Sequence, residues 1–280
     1  MKGAITKADV ETLVRLAIQE DIGTGDITSQ AIFGEQDVSK AAVVSKQNGI
    51  VCGTEVVRYV YEIIDIGVKV TPLIADGDSI SPGDRILLVE GHTISVLSGE
   101  RIALNFLQRM TGIATSTAGA VSLLRNTNIA LLDTRKTVPG LRKLDKYAVK
   151  TGGGTNHREA LFDMVIIKDN HIKAAGSITR AVSMVRDRYG VRYPVEVEAA
   201  TLDEVNEAAA LGVDIIMLDN MDISMMKAAI TMINKRVKIE VSGNVDEDKI
   251  KEIAGLDVDY ISMGSLTHSV RAFDLSMKFY

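Results

Sequence analysis

Apolar residues recur at two different spacings along the chain, and the change between them divides it. Residues 7–20 place Val10, Leu13, Val14, Ala17 and Ile18 at helical spacing, which predicts an amphipathic helix ending before the loop 21–28. That loop holds Gly23 and Gly25 but matches neither the dinucleotide glycine pattern nor the calcium-loop spacing, so it reads as a Gly-rich connection. From 40 to 97, short Val and Ile runs at 42–45, 49–51, 68–70 and 85–89 are separated by Gly, Pro and Asp, the pattern of strands and turns, with a helix inserted at 56–64. Residues 99–125 read as helical again, with a break expected near Gly112.

The second half is more regular. Runs at 129–133, 164–168, 195–198, 215–219, 238–242 and 259–263 are of the buried-strand type, each followed by a helix-like segment with its own boundary signals, such as the Thr201 to Glu204 capping box and the stop at Gly212. Six such βα units predict a parallel α/β barrel, helices outside, incomplete relative to the eight-stranded form. A doubly wound sheet would call for a glycine-rich turn after its first strand, and none follows. The segment 76–91 resembles the strand-and-turn scaffold of lipoyl and biotinyl carrier domains, without their attachment lysine. The expected organisation is therefore an N-terminal α/β sandwich, barrel-sandwich-like, over 1–110 and joined by 271–280, followed by a C-terminal incomplete parallel α/β barrel over 111–270.

Composition narrows the function. The 280 residues carry a net charge of -5, which argues against nucleic acid as the main partner, since phosphate backbones are bound by broad excesses of Lys and Arg. A single cysteine, Cys52, cannot form an internal disulfide, and the start of the chain lacks an apolar signal core, so a cytoplasmic protein is expected, with no membrane partner. Against this acidic background the stretch 133–158 carries seven Lys and Arg and only two Asp, a local balance of +5. It also holds a Pro-Gly turn and a triple glycine, which suits backbone shaped to hold cations around an anion.

In a parallel barrel the loops after the strand ends form the active mouth. Those ends supply Asp133, Thr134, Arg135 and Lys136; Lys168 and Asp169; Glu198; Asp219 and Asn220; Ser242, Gly243 and Asn244; and Met263, Gly264 and Ser265, with His157 and Arg158 entering from the loop after the triple glycine. Arg135, Lys136, Arg158 and Lys168 can hold carboxylates or phosphates. Glu198 and Asp219 are hard oxygen ligands suited to Mg2+ bridging substrate phosphates. Residues 242–244 and 264–268, the latter ending in His268, are expected to open helices whose N–H groups favour phosphate. His92 and His171 read as structural.

The motifs Asp133-Thr-Arg-Lys-Thr-Val-Pro-Gly-Leu-Arg142, Lys146-Tyr-Ala-Val149, Asn156-His-Arg158, Ile167-Lys-Asp-Asn-His-Ile172, Met217-Leu-Asp-Asn220 and Gly264-Ser-Leu-Thr-His268 closely resemble the quinolinate phosphoribosyltransferase family, as do 20–28 and 100–109. The resemblance implies reaction of quinolinate with phosphoribosyl pyrophosphate to give nicotinate mononucleotide, pyrophosphate and carbon dioxide, with Mg2+ as cofactor. It also implies a homodimer, with a hexamer as trimer of dimers left open, in which Arg101 reaches the site of the neighbouring chain. Arg135, His157, Arg158 and Lys168 match the pocket for the quinolinate carboxylates. Lys136, Glu198 and Asp219 match the phosphoribosyl pyrophosphate and magnesium region, and 242–244 and 263–265 its phosphate loops. Arg142, Lys143, Lys146 and Lys150 are left as helix-surface charges, and Arg109 reads as a surface residue.

Departures from the family pattern are Ala199-Ala200, Val241 and Asn244, none in the charged set. Two other readings compete. A phosphosugar barrel lyase would need a Schiff-base lysine, for which Lys168 is the strand-end candidate. A relative linked to molybdenum transport would share the fold with an altered substrate.

Overall fold

The computed structural model describes residues 4–280; the first three residues of the stretch read for a signal core lie outside the described residues. In chain order the elements are α1 Lys7–Asp21, α2 Ile27–Ile32, β1 Val38–Ser45, β2 Gly49–Ile50, α3 Thr54–Ile64, β3 Lys69–Pro72, β4 Ser79–Ile80, β5 Arg85–His92 and α4 Thr93–Ser122. Then come β6 Ala130–Leu132, α5 Arg142–Thr151, β7 Val165–Ile167, α6 Asp169–Ala175, α7 Ile178–Tyr189, β8 Val195–Ala199, α8 Leu202–Ala210 and β9 Ile215–Asp219. The chain finishes with α9 Ile223–Ile233, β10 Lys238–Ser242, α10 Glu247–Ile253, β11 Tyr260–Ser262, α11 Ser265–His268 and β12 Leu275–Phe279. It divides into two compact units, one of the chain up to Ala118, Thr137–Gly153 and Ser269–Tyr280, the other of Gly119–Lys136 and Gly154–His268.

In the first unit β12, β1, β5 and β3 make an antiparallel sheet, and β2 pairs with β4. Val43, Ile86, Leu87 and Val89 are fully buried, as are Val57, Val60 and Tyr61 of α3. Local polar groups set the helix ends. Thr6 donates through both its backbone N–H and its hydroxyl to Asp9 at the start of α1, and Asp76 accepts from the Gly53 and Thr54 backbone N–H groups that open α3.

The helix expected over 99–125 with a break near Gly112 is instead continuous from Thr93 to Ser122. Gly112 has a packing reason: a Cβ there would stand 2.2 Å from the Arg271 carbonyl oxygen. Gly152 likewise would place a Cβ 2.3 Å from the Ala114 carbonyl oxygen, so the turn ending α5 lies directly on α4. Buried Asp145 of α5 accepts two hydrogen bonds from Arg109 of α4, at 2.9 and 2.8 Å, which corrects Arg109 from a surface residue to an ion-pair partner. Lys146, read as a helix-surface charge, is 2% exposed, because this face of α5 packs inward. Lys143 does stay outside, ion-paired with Asp9 at 2.5 Å.

The second unit holds a six-stranded parallel sheet in the order β6-β11-β10-β9-β8-β7. From β7 to β11 strands consecutive in sequence are neighbours, and β6 pairs with β11, so five of the six pairings of a closed ring are present and β6–β7 is the one left open. At that seam Thr155 bridges in parallel to Leu132, its N–H donating to Leu131 and its carbonyl accepting from Asp133. This is the incomplete barrel that the βα rhythm predicted. Val197, Ile216, Leu218, Val241 and Ile261, each fully buried, lie on the strand faces opposite those of Glu198, Met217, Asp219, Glu240 and Ser262, where the helices cover the sheet.

Candidate active site

Because the strands are parallel, their C-terminal ends gather at one rim, and there lies a cavity of about 550 Å³. Thr134, Arg135, Lys136, His157, Arg158, Lys168, Glu198, Asp219, Ser242, Gly243 and Asn244 all line it, side chains spread over 110 residues of sequence. Their placement follows the ring order. Arg135 follows β6, Arg158 follows the seam segment and Lys168 follows β7, so cations flank the open seam. Glu198 and Asp219 close β8 and β9, and the small polar loop 242–244 follows β10.

The seam loop is held from beneath. Asp133 is fully buried, and its carboxylate accepts from Asn156 Nδ2 at 2.6 Å and from the His157 backbone N–H at 2.8 Å. Arg158 donates through Nη1 to the Met164 carbonyl, while its Nε is buried with no hydrogen-bond partner among the described residues. Burial, and then the like charge of Arg135, hold the Arg158 guanidinium below its usual pKa, with Glu196 and Asp163 opposing. Two guanidiniums that repel each other around an open cavity suit a ligand carrying carboxylates.

His157 does not face the cavity freely. Its side chain is 8% exposed, and Nε2 stands 3.1 Å from Glu196 and 3.3 Å from Glu240, both fully buried. Burial works against a charged ring, but the two carboxylates more than offset it and raise the His157 pKa to about 10. At the other nitrogen, the Arg158 backbone N–H donates to Nδ1 at 2.6 Å. These influences disagree about a second proton on the ring, yet both leave Nε2 protonated. His157, Glu196 and Glu240 are spaced closely enough to hold a metal ion, but a protonated Nε2 is no ligand.

Glu196 and Glu240 were not singled out from the sequence. The signal was available: with a strand period of two, Glu196 shares a face with Glu198, and Glu240 with Ser242. Asn220 and Met217 also line the cavity.

On the other side of the rim, Lys168 Nζ is ion-paired with Glu198 Oε2 at 2.5 Å, and Asp219 Oδ2 accepts from Asn220 Nδ2 at 2.9 Å. The Lys168 backbone N–H donates to His171 Nδ1, which gives His171 its structural role at the start of α6. Gly243 has φ +94 and would place a Cβ 2.3 Å from Asn220 Oδ1, so only glycine fits there. Asn220 and Asn244 take φ of 54 and 47, the left-handed region that asparagine tolerates, which makes Asn244 a workable substitute for the more common family glycine. Ala199 and Val241 are buried in the barrel wall.

Some expected groups stand elsewhere. Met263, Gly264, Ser265 and His268 are not among the lining side chains; a Cβ on Gly264 would lie 3.0 Å from Lys136 Cδ, and Thr267 donates to the Lys136 carbonyl at 2.8 Å, so this turn backs Lys136. Of the two late loops expected to open helices, 264–268 does open one, whereas 242–244 stops short of the next. Residues 242–244 precede α10, which is capped by Asp246, and α11 is four residues long. Arg101 belongs to the first unit, exposed on α4.

Comparisons with known proteins agree over nearly the whole chain. Residues 26–111 match the family profile "Quinolinate phosphoribosyl transferase, N-terminal domain" and residues 113–278 match its C-terminal counterpart. A probable nicotinate-nucleotide pyrophosphorylase [carboxylating] of Bacillus subtilis is 44% identical over 92% of this chain and 89% of its own length. The chloroplastic enzyme of that name in Arabidopsis thaliana is 43% identical over 96% of this chain and 82% of its own. The crystal structure of NadC from Streptococcus pyogenes superposes with a TM-score of 0.95 at 42% identity, covering 99% of this chain and 98% of that one.

Proposed function

The chain belongs to the quinolinate phosphoribosyltransferase family, and from that premise we propose how its rim divides the work of the reaction. The enzyme transfers phosphoribosyl from phosphoribosyl pyrophosphate to quinolinate with decarboxylation, giving nicotinate mononucleotide, pyrophosphate and carbon dioxide in de novo NAD synthesis. The observation that carries the assignment is the segregation of charge around the ring, with Arg135, Arg158 and Lys168 at the seam and Glu198 and Asp219 on the next two strands.

Arg135 and Arg158 take the two quinolinate carboxylates with their planar forks, and Lys168 adds a point charge. His157, whose Nε2 stands beside Glu196 and Glu240, works mainly by fixing the Arg158 backbone. Lys136, backed by the turn 264–268, meets the pyrophosphate, and the loop 242–244 meets the phosphate of the same donor. The donor set fits a magnesium ion: Glu198 and Asp219 are neighbouring hard oxygens, and such an ion is commonly held by one or two carboxylates plus substrate phosphates. Bound there, it would supply charge neutralisation on the leaving group.

With the ring nitrogen aimed at the ribose carbon, displacement of pyrophosphate needs no nucleophile from the protein. Positioning and preorganised charge can each contribute several kcal/mol in a sheltered cavity. The new N–C bond makes the ring cationic, that charge stabilises the electron pair left on the ring carbon as the adjacent carboxylate departs as carbon dioxide, and a proton from solvent takes its place. A lyase using Lys168 as an imine-forming amine fits less well, because that side chain is ion-paired with Glu198.

We place Arg101 in the site of a second copy of the chain, since it is exposed on α4 and matches the arginine that the family resemblance assigns to the neighbouring chain's site. A dimer is the minimum assembly this requires. The proposed location is the cytoplasm, where the buried free thiol of Cys52 would stay reduced; no described helix is long and apolar enough to cross a membrane. The deciding assay follows labelled carbon dioxide and pyrophosphate from quinolinate and the donor with Mg2+. Both should appear in equal amounts and both should vanish in Arg135→Ala; folded wild-type protein releasing neither would overturn the reading.

A further inference from the structure

Two of the groups assigned to different substrates are bound to each other. Lys168 Nζ and Glu198 Oε2 stand 2.5 Å apart across the adjacent strands β7 and β8. Lys168 has been given to the dicarboxylate and Glu198 to the cation-bound donor. While the pair is closed each charge is compensated by the other and Glu198 Oε2 is occupied. The Lys168 side chain is 43% exposed and that of Glu198 16%, so the lysine can swing toward an incoming anion while the carboxylate stays in the wall. The Lys168 backbone is pinned by His171 Nδ1, so the exchange is a movement of the side chain alone.

We propose that the Lys168–Glu198 ion pair is an exchange latch: the pyridine dicarboxylate draws Lys168 away from Glu198, and the released carboxylate becomes available to the cation-bound donor, so that each substrate strengthens the binding of the other. This deepens the functional reading above and rests on it. A ligand that binds alone bears the whole loss of the pair, whereas the second ligand finds the pair already open. The coupling is reciprocal by thermodynamic necessity. For a half-exposed, charge-assisted pair its size is about fivefold in affinity.

The test is calorimetric binding of phthalate, which carries both carboxylates but no ring nitrogen and so cannot react. Glu198→Gln should tighten phthalate by about fivefold in the absence of donor, because Lys168 is released. Asp219→Asn removes the same charge from the same cavity without touching Lys168 and should change the affinity by less than about twofold. In wild type the donor with Mg2+ should tighten phthalate by about fivefold, and Glu198→Gln should abolish that gain. Equal effects of the two substitutions, or a gain that survives in Glu198→Gln, would overturn the latch. Turnover of quinolinate by the same wild-type preparation separates the levels: with turnover present, such results sink the latch alone, and with turnover absent in folded protein both fall.

Discussion

Asp133 is the residue whose removal should do the most damage without touching a substrate. It is fully buried, and its carboxylate accepts from Asn156 Nδ2 at 2.6 Å and from the His157 backbone N–H at 2.8 Å. A hydrogen bond to a carboxylate contributes about 1.5–3 kcal/mol, more fully here for the His157 N–H than for Asn156, which is exposed and can turn to water. Asp133→Ala frees the turn that aims His157 and Arg158. Allowing for water that enters the space, a loss of about 3 kcal/mol remains, which corresponds to roughly a hundredfold in kcat/KM at ~1.4 kcal/mol per tenfold. The loss should fall on the KM for quinolinate and leave the KM for the phosphoribosyl donor nearly unchanged, since Lys136 and the loop 242–244 are held by other contacts. Asp133→Asn keeps one acceptor for the His157 N–H, and the Asn156 amide can turn to present its oxygen, so it should lose only about fivefold. Steady-state kinetics against each substrate, with a thermal melt to show folding, provides the measurement. A kcat/KM within threefold of wild type in folded Asp133→Ala would refute the argument, and equal damage from the asparagine variant would show that charge rather than geometry matters.

Three further outcomes follow from contacts already described. Asp145→Ala leaves the Arg109 guanidinium, 21% exposed, without its buried partner; breaking such a pair costs about 3 kcal/mol at this exposure, or roughly a 10 °C fall in Tm, and calorimetry showing less than about 2 °C would contradict the pairing. Hydrogen bonding from Lys143, then from the Thr6 backbone, lowers the Asp9 pKa from 3.8 to about 2, so the stability it contributes is present above the higher value and is lost as pH falls through the lower. Melts of Asp9→Asn should therefore lie below wild type at neutral pH and converge with it as the pH approaches 2, and a gap that persists there would exclude the link. Mixing inactive Arg101→Ala and Arg135→Ala chains should restore about one quarter of wild-type activity, because half the random dimers are hybrids and each hybrid holds one intact site. No recovery after subunit exchange would place Arg101 outside the partner's site.

Strands β6, β7 and β9 were legible in the sequence because a strand buried on both faces writes itself as an apolar run, while β8 and β10 alternate with Glu196, Glu198 and Glu240, and the strand ends deliver the polar residues in ring order. Lys168, Glu198 and Asp219 could be read in this way without coordinates. What failed to show were relations between segments. Gly112 looks like a helix break because a glycine's local propensity is all the sequence reveals, whereas its reason is the Arg271 carbonyl beside it. Arg109 and Lys146 look like surface charges because charged residues usually are, and Asp145 that pairs with the first lies 36 residues away. That Thr137–Gly153 packs with the first unit is likewise invisible in chain order, since it follows one barrel strand and precedes the next.

The buried carboxylates complete the logic of the site. On the proposed assignment the dianion draws Arg135 and Arg158 together, and their mutual repulsion, which lowers the Arg158 pKa, works against folding whenever the ligand is absent. Neutralising them with carboxylates at the rim would block the ligand. Asp133, Glu196 and Glu240 are instead fully buried on strands or strand ends, Glu240 forming part of the cavity wall, and the charge of Glu196 reaches the Arg158 guanidinium. Glu196 raises the Arg158 pKa against the combined effect of burial and Arg135, the direction expected of an internal counter-charge. Such a counter-charge has its own cost, because two carboxylates close together repel, and burial together with Glu240 holds the Glu196 pKa above its ordinary value. The His157 ring, with a protonated Nε2 near both, relieves that repulsion, and its own backbone is tied to Asp133. The chain of charges thus runs from the ligand's carboxylates through the guanidiniums to the buried acids and the imidazole, alternating in sign. That alternation accounts for a histidine motif in the seam loop without requiring the imidazole to touch the substrate.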